Sequence, residues 1–68
     1  MKRDPLQIIE EMFMCLEEGR PFSINEIAKE TGIHNITVRR YVRLIERVSS
    51  EHVEIIKTRH STILRIRT

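Results

Sequence analysis

The segment from Asn35 to Arg47 carries side chains that could bind a polyanion. An apolar residue and three arginines recur at i, i+4, i+7 and i+11, so a helix places them on one ridge. The ridge consists of Ile36, Arg40, Arg43 and Arg47, with Arg39 beside it. Like charges at this spacing repel one another. Glu46 is within reach of Arg43 and Arg39 and offsets part of that repulsion, and we expect a bound anion to offset the rest.

The charge distribution along the chain also indicates an anionic partner. The net charge is +2 over 68 residues, but residues 1–34 carry four Lys or Arg and seven Asp or Glu, whereas residues 35–68 carry eight and three. This asymmetry favours nucleic acid as the partner, and a membrane surface second. The alternative is a solvated surface on which basic residues cluster by chance.

The length and the remaining reactive residues argue against catalysis. A chain of 68 residues forms one domain with a thin core and has no room for an enclosed substrate cavity. The three histidines, His34, His52 and His60, match no common metal-ligand spacing, and no nucleophile elbow is present. We therefore expect no enzyme activity, no cofactor, no metal and no small-molecule ligand.

The single cysteine indicates a reducing compartment. Cys15 has no partner for an intramolecular disulfide, and the chain shows neither a signal peptide nor a long apolar run. These features predict a soluble cytoplasmic protein that does not enter a membrane. Cys15 itself is expected to be a small buried hydrophobe, with an intermolecular bridge as the alternative.

The first helix is predicted over about residues 5–18. Asp4 can cap it, Pro5 suits the first helical position, and Gly19 with Pro21 can end it. One apolar stripe, predicted to face the core, consists of Leu6, Ile9, Phe13 and Leu16. A second stripe consists of Ile8, Met12 and Cys15. This second stripe is either a dimer contact or a surface that the rest of the chain covers, and the pattern leaves both open.

The remaining elements follow from capping and periodicity. Ser23 and Glu26 form an S-x-x-E capping box that opens a helix over about 24–31, and Gly32 ends it. The third helix is predicted over about 35–48, with an inner face formed by Val38, Tyr41, Val42 and Ile45. Alternating β-branched residues predict a hairpin over about 52–67 that turns at residues 58–61. The prediction is one domain spanning residues 1–68, mainly α with a small antiparallel β-hairpin.

The segment from Ser23 to Ile33, followed by Thr37-Val38-Arg39-Arg40, resembles the helix-turn-helix of prokaryotic winged-helix regulators such as the leucine-responsive and GntR-like families. In those families the residue matching Ala28 lets two helices approach, and the glycine matching Gly32 makes the turn. The residue matching Ile33 plugs the core. This chain departs from the families at the third-helix cap, held by His34 or Asn35, and after that helix, where residues 49–51 replace a glycine. The resemblance implies a three-helix winged helix-turn-helix.

The resemblance and the ridge together imply sequence-specific binding of double-stranded DNA by a transcription regulator. A major groove about 12 Å wide admits one helix, and a homodimer would match palindromic half-sites. Within the third helix, Asn35 suits adenine, Arg39 or Arg40 suits guanine, and Ile36 suits a thymine methyl. The other predicted DNA contacts are Thr37, Arg43 and Arg47 on the helix and Lys57, Arg59 and His60 on the wing.

Two other binding modes compete with DNA. The winged helix also serves as a protein-protein interaction module within larger complexes. The other alternative is binding of double- or single-stranded RNA. Proteins that bind single strands use exposed aromatic platforms, and the only candidate here, Tyr41, is predicted to face the core. The basic ridge on the third helix favours double-stranded DNA over the protein-protein interaction module.

Overall fold

The computed structural model describes residues 3–67, and within them three helices combine with a three-stranded antiparallel sheet. The elements are α1 (Pro5–Leu16), β1 (Phe22–Ser23), α2 (Ile24–Thr31), α3 (Asn35–Val48), β2 (Val53–Lys57) and β3 (Thr62–Ile66). The order of elements confirms the predicted winged helix-turn-helix. Among these helices, none has the length and apolar composition needed to cross a membrane.

α1 begins as predicted but ends earlier. The Asp4 carboxylate accepts a hydrogen bond from the backbone N–H of Gln7 at 2.8 Å, and Pro5 occupies the first turn. The helix ends at Leu16 rather than at residue 18, because Glu17 caps it and its N–H donates to Phe13 and Met14 carbonyls. Gly19 then takes a φ of +85°, a conformation that glycine adopts without strain.

The buried face of α1 matches the predicted one only in part, since Leu16 of the predicted core-facing stripe is fully buried. Ile8, Met12 and Leu16 lie in the core, whereas Leu6 is 67% exposed and Ile9 is half-buried. The sequence could not rank the two stripes, because both are apolar, and α2 and β3 pack over the stripe that contains Met12.

This packing corrects the predicted dimer contact. Met12 has no exposed surface and Ile8 has 8%, so both are covered within a single chain and cannot form a contact between chains. Cys15, the third residue of that stripe, is half-buried and packs against the same core. The alternative, that the rest of the chain covers this stripe, is the correct one.

α2 and α3 have the predicted bounds because strong local signals fix their ends. Ser23 and Glu26 form the reciprocal capping box, with both hydrogen bonds at 3.1 Å. Gly32 ends α2 in the left-handed conformation, with a φ of +75°. His34 caps α3, since its Nδ1 accepts a hydrogen bond from the backbone N–H of Ile36 at 3.2 Å.

The sheet joins the hairpin to a short strand that the sequence did not predict. The strand order is β1-β3-β2, and Phe22 of β1 pairs with Leu64 of β3. Both side chains are fully buried, so β1 ties the start of α2 to the core. The chain passes from α3 into β2 without a glycine, because the Ser49 carbonyl accepts hydrogen bonds from the N–H groups of His52 and Val53.

Candidate nucleic-acid interface

A concave surface lined by several charged side chains lies between α3 and the hairpin. We call it the cleft. Its charged lining consists of Arg39, Arg40, Arg43, Glu46 and Lys57. Exposed Ile36 and half-buried Thr62 line it as well. The fold therefore brings most of the predicted recognition-helix arginines together with one predicted wing residue. Thr62 was not among the predicted site residues, because nothing in the sequence marked this position at the start of β3 as part of a binding surface.

The arginines of α3 differ from the other arginines in their partners. Arg3 pairs with Glu11, and Arg20 pairs with Glu18 and Glu26 and lies 3.9 Å from the Phe22 ring centroid. In the sheet, Arg65 pairs with Glu54 across the β2–β3 register. The Nε of Arg67 donates to the Ser50 carbonyl at 2.9 Å.

None of the four α3 arginines forms an ion pair within residues 3–67, and all four are exposed. They are Arg39, Arg40, Arg43 and Arg47. Four neighbouring guanidinium groups without carboxylate partners retain all their hydrogen-bond donors for an external anion. This arrangement suits phosphates and the base edges of nucleic acid.

Glu46 stabilises the wing rather than the ridge. The Lys57 Nζ lies 3.1 Å from a Glu46 carboxylate oxygen, so the end of β2 is tied to α3 across the cleft. The predicted relief of Arg43 and Arg39 by Glu46 is wrong, because no such pair occurs in the described part of the chain. Helical spacing had suggested arginines about one turn from Glu46 as its partners. In the structure its partner is Lys57, eleven residues further along the chain.

The three residues at the start of α3 differ in their contacts and exposure. The Asn35 Nδ2 donates to the Asn25 Oδ1 at 3.4 Å, a long contact that links α3 to α2. Ile36 is 61% exposed at the head of the ridge, an unusual position for a large apolar side chain. Thr37 is half-buried and lies on the other side of α3, in a depression shared with Arg3, Arg40 and Tyr41.

The hairpin tip presents two of the predicted wing residues. The Lys57–Thr62 pair closes a four-residue loop, in which the Thr58 hydroxyl accepts from the Ser61 N–H at 3.0 Å. Arg59 and His60 lie between these residues and are exposed. Arg59 forms no ion pair with any residue in the described range. The loop therefore holds one more free guanidinium group away from α3.

Arg47 belongs to a different surface from the other α3 arginines. It lines a shallow apolar groove with Pro5, Tyr41 and Leu44, on the side of α3 away from the cleft, and Arg40 and Arg43 border both surfaces. This groove was not predicted from the sequence. A signal was present, since Leu44 and Val48 are spaced at i, i+4 and lie off the inner face formed by Val38, Val42 and Ile45.

The shifted pKa values lie outside the cleft. Hydrogen bonding from Ser23, and then from Arg20, holds the pKa of Glu26 below its ordinary value. Burial raises the pKa of Cys15, with further contributions from Glu30 and Glu18, so the thiol stays protonated near neutral pH. Neither group adds charge to the surface formed by α3.

The histidines and acids do not assemble a metal site in the described part of the chain. No three His, Cys, Asp or Glu residues in it lie close enough to hold a metal ion. The arginine and lysine side chains that line the cleft can make charge-assisted hydrogen bonds to an anion.

The comparisons with known proteins agree with this geometry at the level of the family. A family model described as an HTH domain matches residues 7–61. The match covers α1, α2 and α3 and reaches the hairpin turn. No significant match was found among the curated proteins or among the solved structures.

Proposed function

The chain belongs to the HTH domain family, and from that membership and the geometry of α3 we propose that it binds double-stranded DNA and regulates transcription. In this proposal α3 enters the major groove, and the hairpin contacts the backbone or the minor groove. The resemblance to prokaryotic winged-helix regulators supports a role in a prokaryotic cytoplasm.

One observation carries the proposal: within residues 3–67 the arginines of α3 form no ion pairs, whereas Arg3, Arg20 and Arg65 each pair with a carboxylate. Exposed arginines that neighbour one another on a helix repel, and no carboxylate in the described part of the chain pairs with them. Phosphates relieve it on binding, because each neutralised phosphate also releases counterions. The arginines of the cleft lie between a helix and a hairpin, the two elements with which winged helices contact duplex DNA.

The exposed positions support separate roles in the complex. We assign Arg39, Arg40 and Arg43 to guanine edges or phosphates, and exposed Ile36 to a thymine methyl group. Asn35 suits adenine once its long contact to Asn25 is exchanged. Thr37 suits a phosphate on the α1 side of α3. From the wing, Lys57 can contact the backbone once it exchanges its ion pair with Glu46 for a phosphate. Arg59 and His60 of the hairpin tip contact the backbone or the minor groove.

A homodimer is part of this proposal. One α3 helix covers a short half-site, and specific recognition usually requires more contacts than one such module supplies. Two-fold dimers are the commonest soluble oligomers and match palindromic sites.

The proposal is tested by removing cleft arginines and measuring affinity for DNA. The double variant Arg39→Ala/Arg43→Ala should weaken binding to a fluorescein-labelled duplex by about 1–3 kcal/mol for each lost contact. Fluorescence anisotropy gives the affinity, and circular dichroism confirms that the variant is folded. Arg20→Ala/Arg65→Ala is the matched control, because it also removes two positive charges, from residues that are paired with Glu26 and Glu54.

Two results would contradict the proposal. Equal affinity of the folded double variant and the wild type would exclude α3 as the DNA-binding element. Equal losses in the double variant and in the Arg20→Ala/Arg65→Ala control would indicate attraction by net charge alone. Either result would favour the alternative of a winged helix that binds another protein.

A further inference from the structure

Glu46 is the only carboxylate among the described residues that line the cleft. The other charged residues of the lining are basic, namely Arg39, Arg40, Arg43 and Lys57. A fixed negative charge repels an incoming phosphate, so a surface that serves only to bind phosphates would bind them more tightly without this acid. Glu46 therefore has an effect on the cleft that the DNA-binding arginines do not explain.

The Glu46 carboxylate engages Lys57 with both of its oxygens. The Lys57 Nζ donates a hydrogen bond to Oε1 at 3.2 Å and lies 3.1 Å from Oε2. A phosphate group likewise presents negatively charged oxygens that accept hydrogen bonds from an ammonium group. In the free protein Glu46 therefore makes the contact with Lys57 that a backbone phosphate makes in the proposed complex.

The arginines of the cleft do not share this carboxylate. Arg43 lies three residues before Glu46 on α3, a spacing at which side chains of a helix are neighbours. Within residues 3–67, however, the only ion pair of Glu46 is with Lys57. Of the basic groups in the described lining, the protein thus neutralises the one on the hairpin and leaves those on α3 available to an anion.

The Glu46–Lys57 pair is open to solvent and can exchange its partners. The side chain of Lys57 is 62% exposed and that of Glu46 is 42% exposed. An ion pair at such a site adds little to stability, because water screens the charges and two long side chains lose freedom. A phosphate that already contacts Arg39 or Arg43 can therefore take Lys57 from Glu46 without unfolding the hairpin.

We propose that Glu46 is an internal competitor for phosphate, which must give up Lys57 before the hairpin side of the cleft binds DNA. The inference rests on the proposed function and names a restraint on that same site. The competition lowers affinity for the backbone of any duplex, because Lys57 contacts phosphate and not base edges in the proposed complex. Complexes at non-specific sites, which depend on phosphate contacts, dissociate more readily as a result.

A double-mutant cycle with duplex DNA tests the competition. Fluorescence anisotropy measures the affinity of the wild type, Glu46→Gln, Lys57→Met and the double variant for a fluorescein-labelled duplex of random sequence. Glu46→Gln should bind about two- to fivefold more tightly than the wild type. Lys57→Met should weaken binding, and more so in the Glu46→Gln background, because there Lys57 has no carboxylate to leave.

Glu54→Gln is the matched control. Glu54 also pairs with a cation of the sheet, Arg65, but it does not line the cleft. The substitution removes the same charge at a site outside the proposed DNA-binding surface, so it should raise DNA affinity less than Glu46→Gln does. Circular dichroism confirms that each variant is folded, as expected because none of the substituted side chains is buried.

Three results would overturn the inference. DNA binding by Glu46→Gln that is equal to or weaker than that of the wild type would show that Glu46 does not compete with phosphate. An equal gain in Glu54→Gln would indicate an effect of net charge alone. An equal loss on Lys57→Met in both backgrounds would show that the ion pair persists in the complex.

The same measurements separate this inference from the proposed function. A wild type that binds duplex DNA, with a Glu46→Gln variant that binds it no better, would contradict the competition and leave the proposed function intact. Failure of both proteins to bind duplex DNA would contradict the proposed function, and the inference with it.

Discussion

α1 and α3 are both amphipathic helices, but they use their charged residues differently. The arginines that flank α1, Arg3 and Arg20, each meet a carboxylate. The exposed arginines of α3, such as Arg39 and Arg43, meet none within the described residues. Paired charges fix the geometry of the chain, whereas unpaired charges remain available to a ligand. The location of unsatisfied charge is therefore more informative about function than the net charge of +2.

The largest expected effect concerns the buried face of α1. Met12→Ala should destabilise the fold by about 2–5 kcal/mol, because Met12 is fully buried and its truncation leaves a cavity. Met14→Ala, at a position that is 67% exposed, should change the free energy of unfolding by no more than about 0.5 kcal/mol. Urea denaturation measures both. Equal losses would show that α1 does not pack as described.

Single arginine variants of α3 should lose DNA affinity without losing stability. Arg43→Ala should lower affinity for duplex DNA by about 1–3 kcal/mol and leave the melting temperature unchanged, because Arg43 is exposed and has no partner in the described range. Arg3→Ala is the comparison variant, since it removes the same charge from a residue paired with Glu11. If Arg43→Ala lowered stability but not DNA affinity, Arg43 would have a structural role and the proposed difference between α1 and α3 would be wrong.

The α2 cap should affect stability alone. Ser23→Ala removes the side-chain oxygen that accepts from the Glu26 N–H and should cost about 1 kcal/mol. For a domain of this size, that loss corresponds to a melting temperature lower by about 4–8 °C. Calorimetry measures the change, and DNA affinity under folding conditions should remain that of the wild type. An unchanged melting temperature would mean that the capping box does not hold α2.

The smallest expected effect is a pH dependence from Glu26. Hydrogen bonding to Ser23, and then to Arg20, lowers the pKa of Glu26, so its contribution to stability is present above the ordinary Glu pKa. That contribution is lost as the pH falls from about 4.3 through the lower folded value. Glu26→Gln should therefore flatten the acid limb of a plot of melting temperature against pH. An identical acid limb in both proteins would exclude this contribution.

The bounds of α2 and α3 could be predicted from sequence because local chemistry determines them. The Ser23–Glu26 capping box and the left-handed Gly32 are short-range features, and both occur in the structure. The exposed ridge of α3 follows in the same way from helical spacing. Its position beside the hairpin could be anticipated only from the resemblance to winged-helix regulators.

The features that the sequence did not reveal depend on long-range packing. α1 has two apolar stripes, and only the docking of α2 and β3 determines that Met12 is buried while Leu6 is exposed. β1 has only two residues and exists because Phe22 pairs with Leu64 of β3. The Glu46–Lys57 ion pair likewise joins residues that no helical periodicity brings together.

The salt dependence of DNA binding tests the central claim, that the unpaired arginines of α3 serve to bind phosphates, most directly. With about four to six phosphate contacts per chain, the logarithm of the association constant for duplex DNA should fall against the logarithm of salt concentration with a slope of about −4 to −5. Arg39→Ala/Arg43→Ala should reduce the magnitude of that slope by about 2. A slope near zero in the wild type, or an unchanged slope in the folded double variant, would contradict the claim.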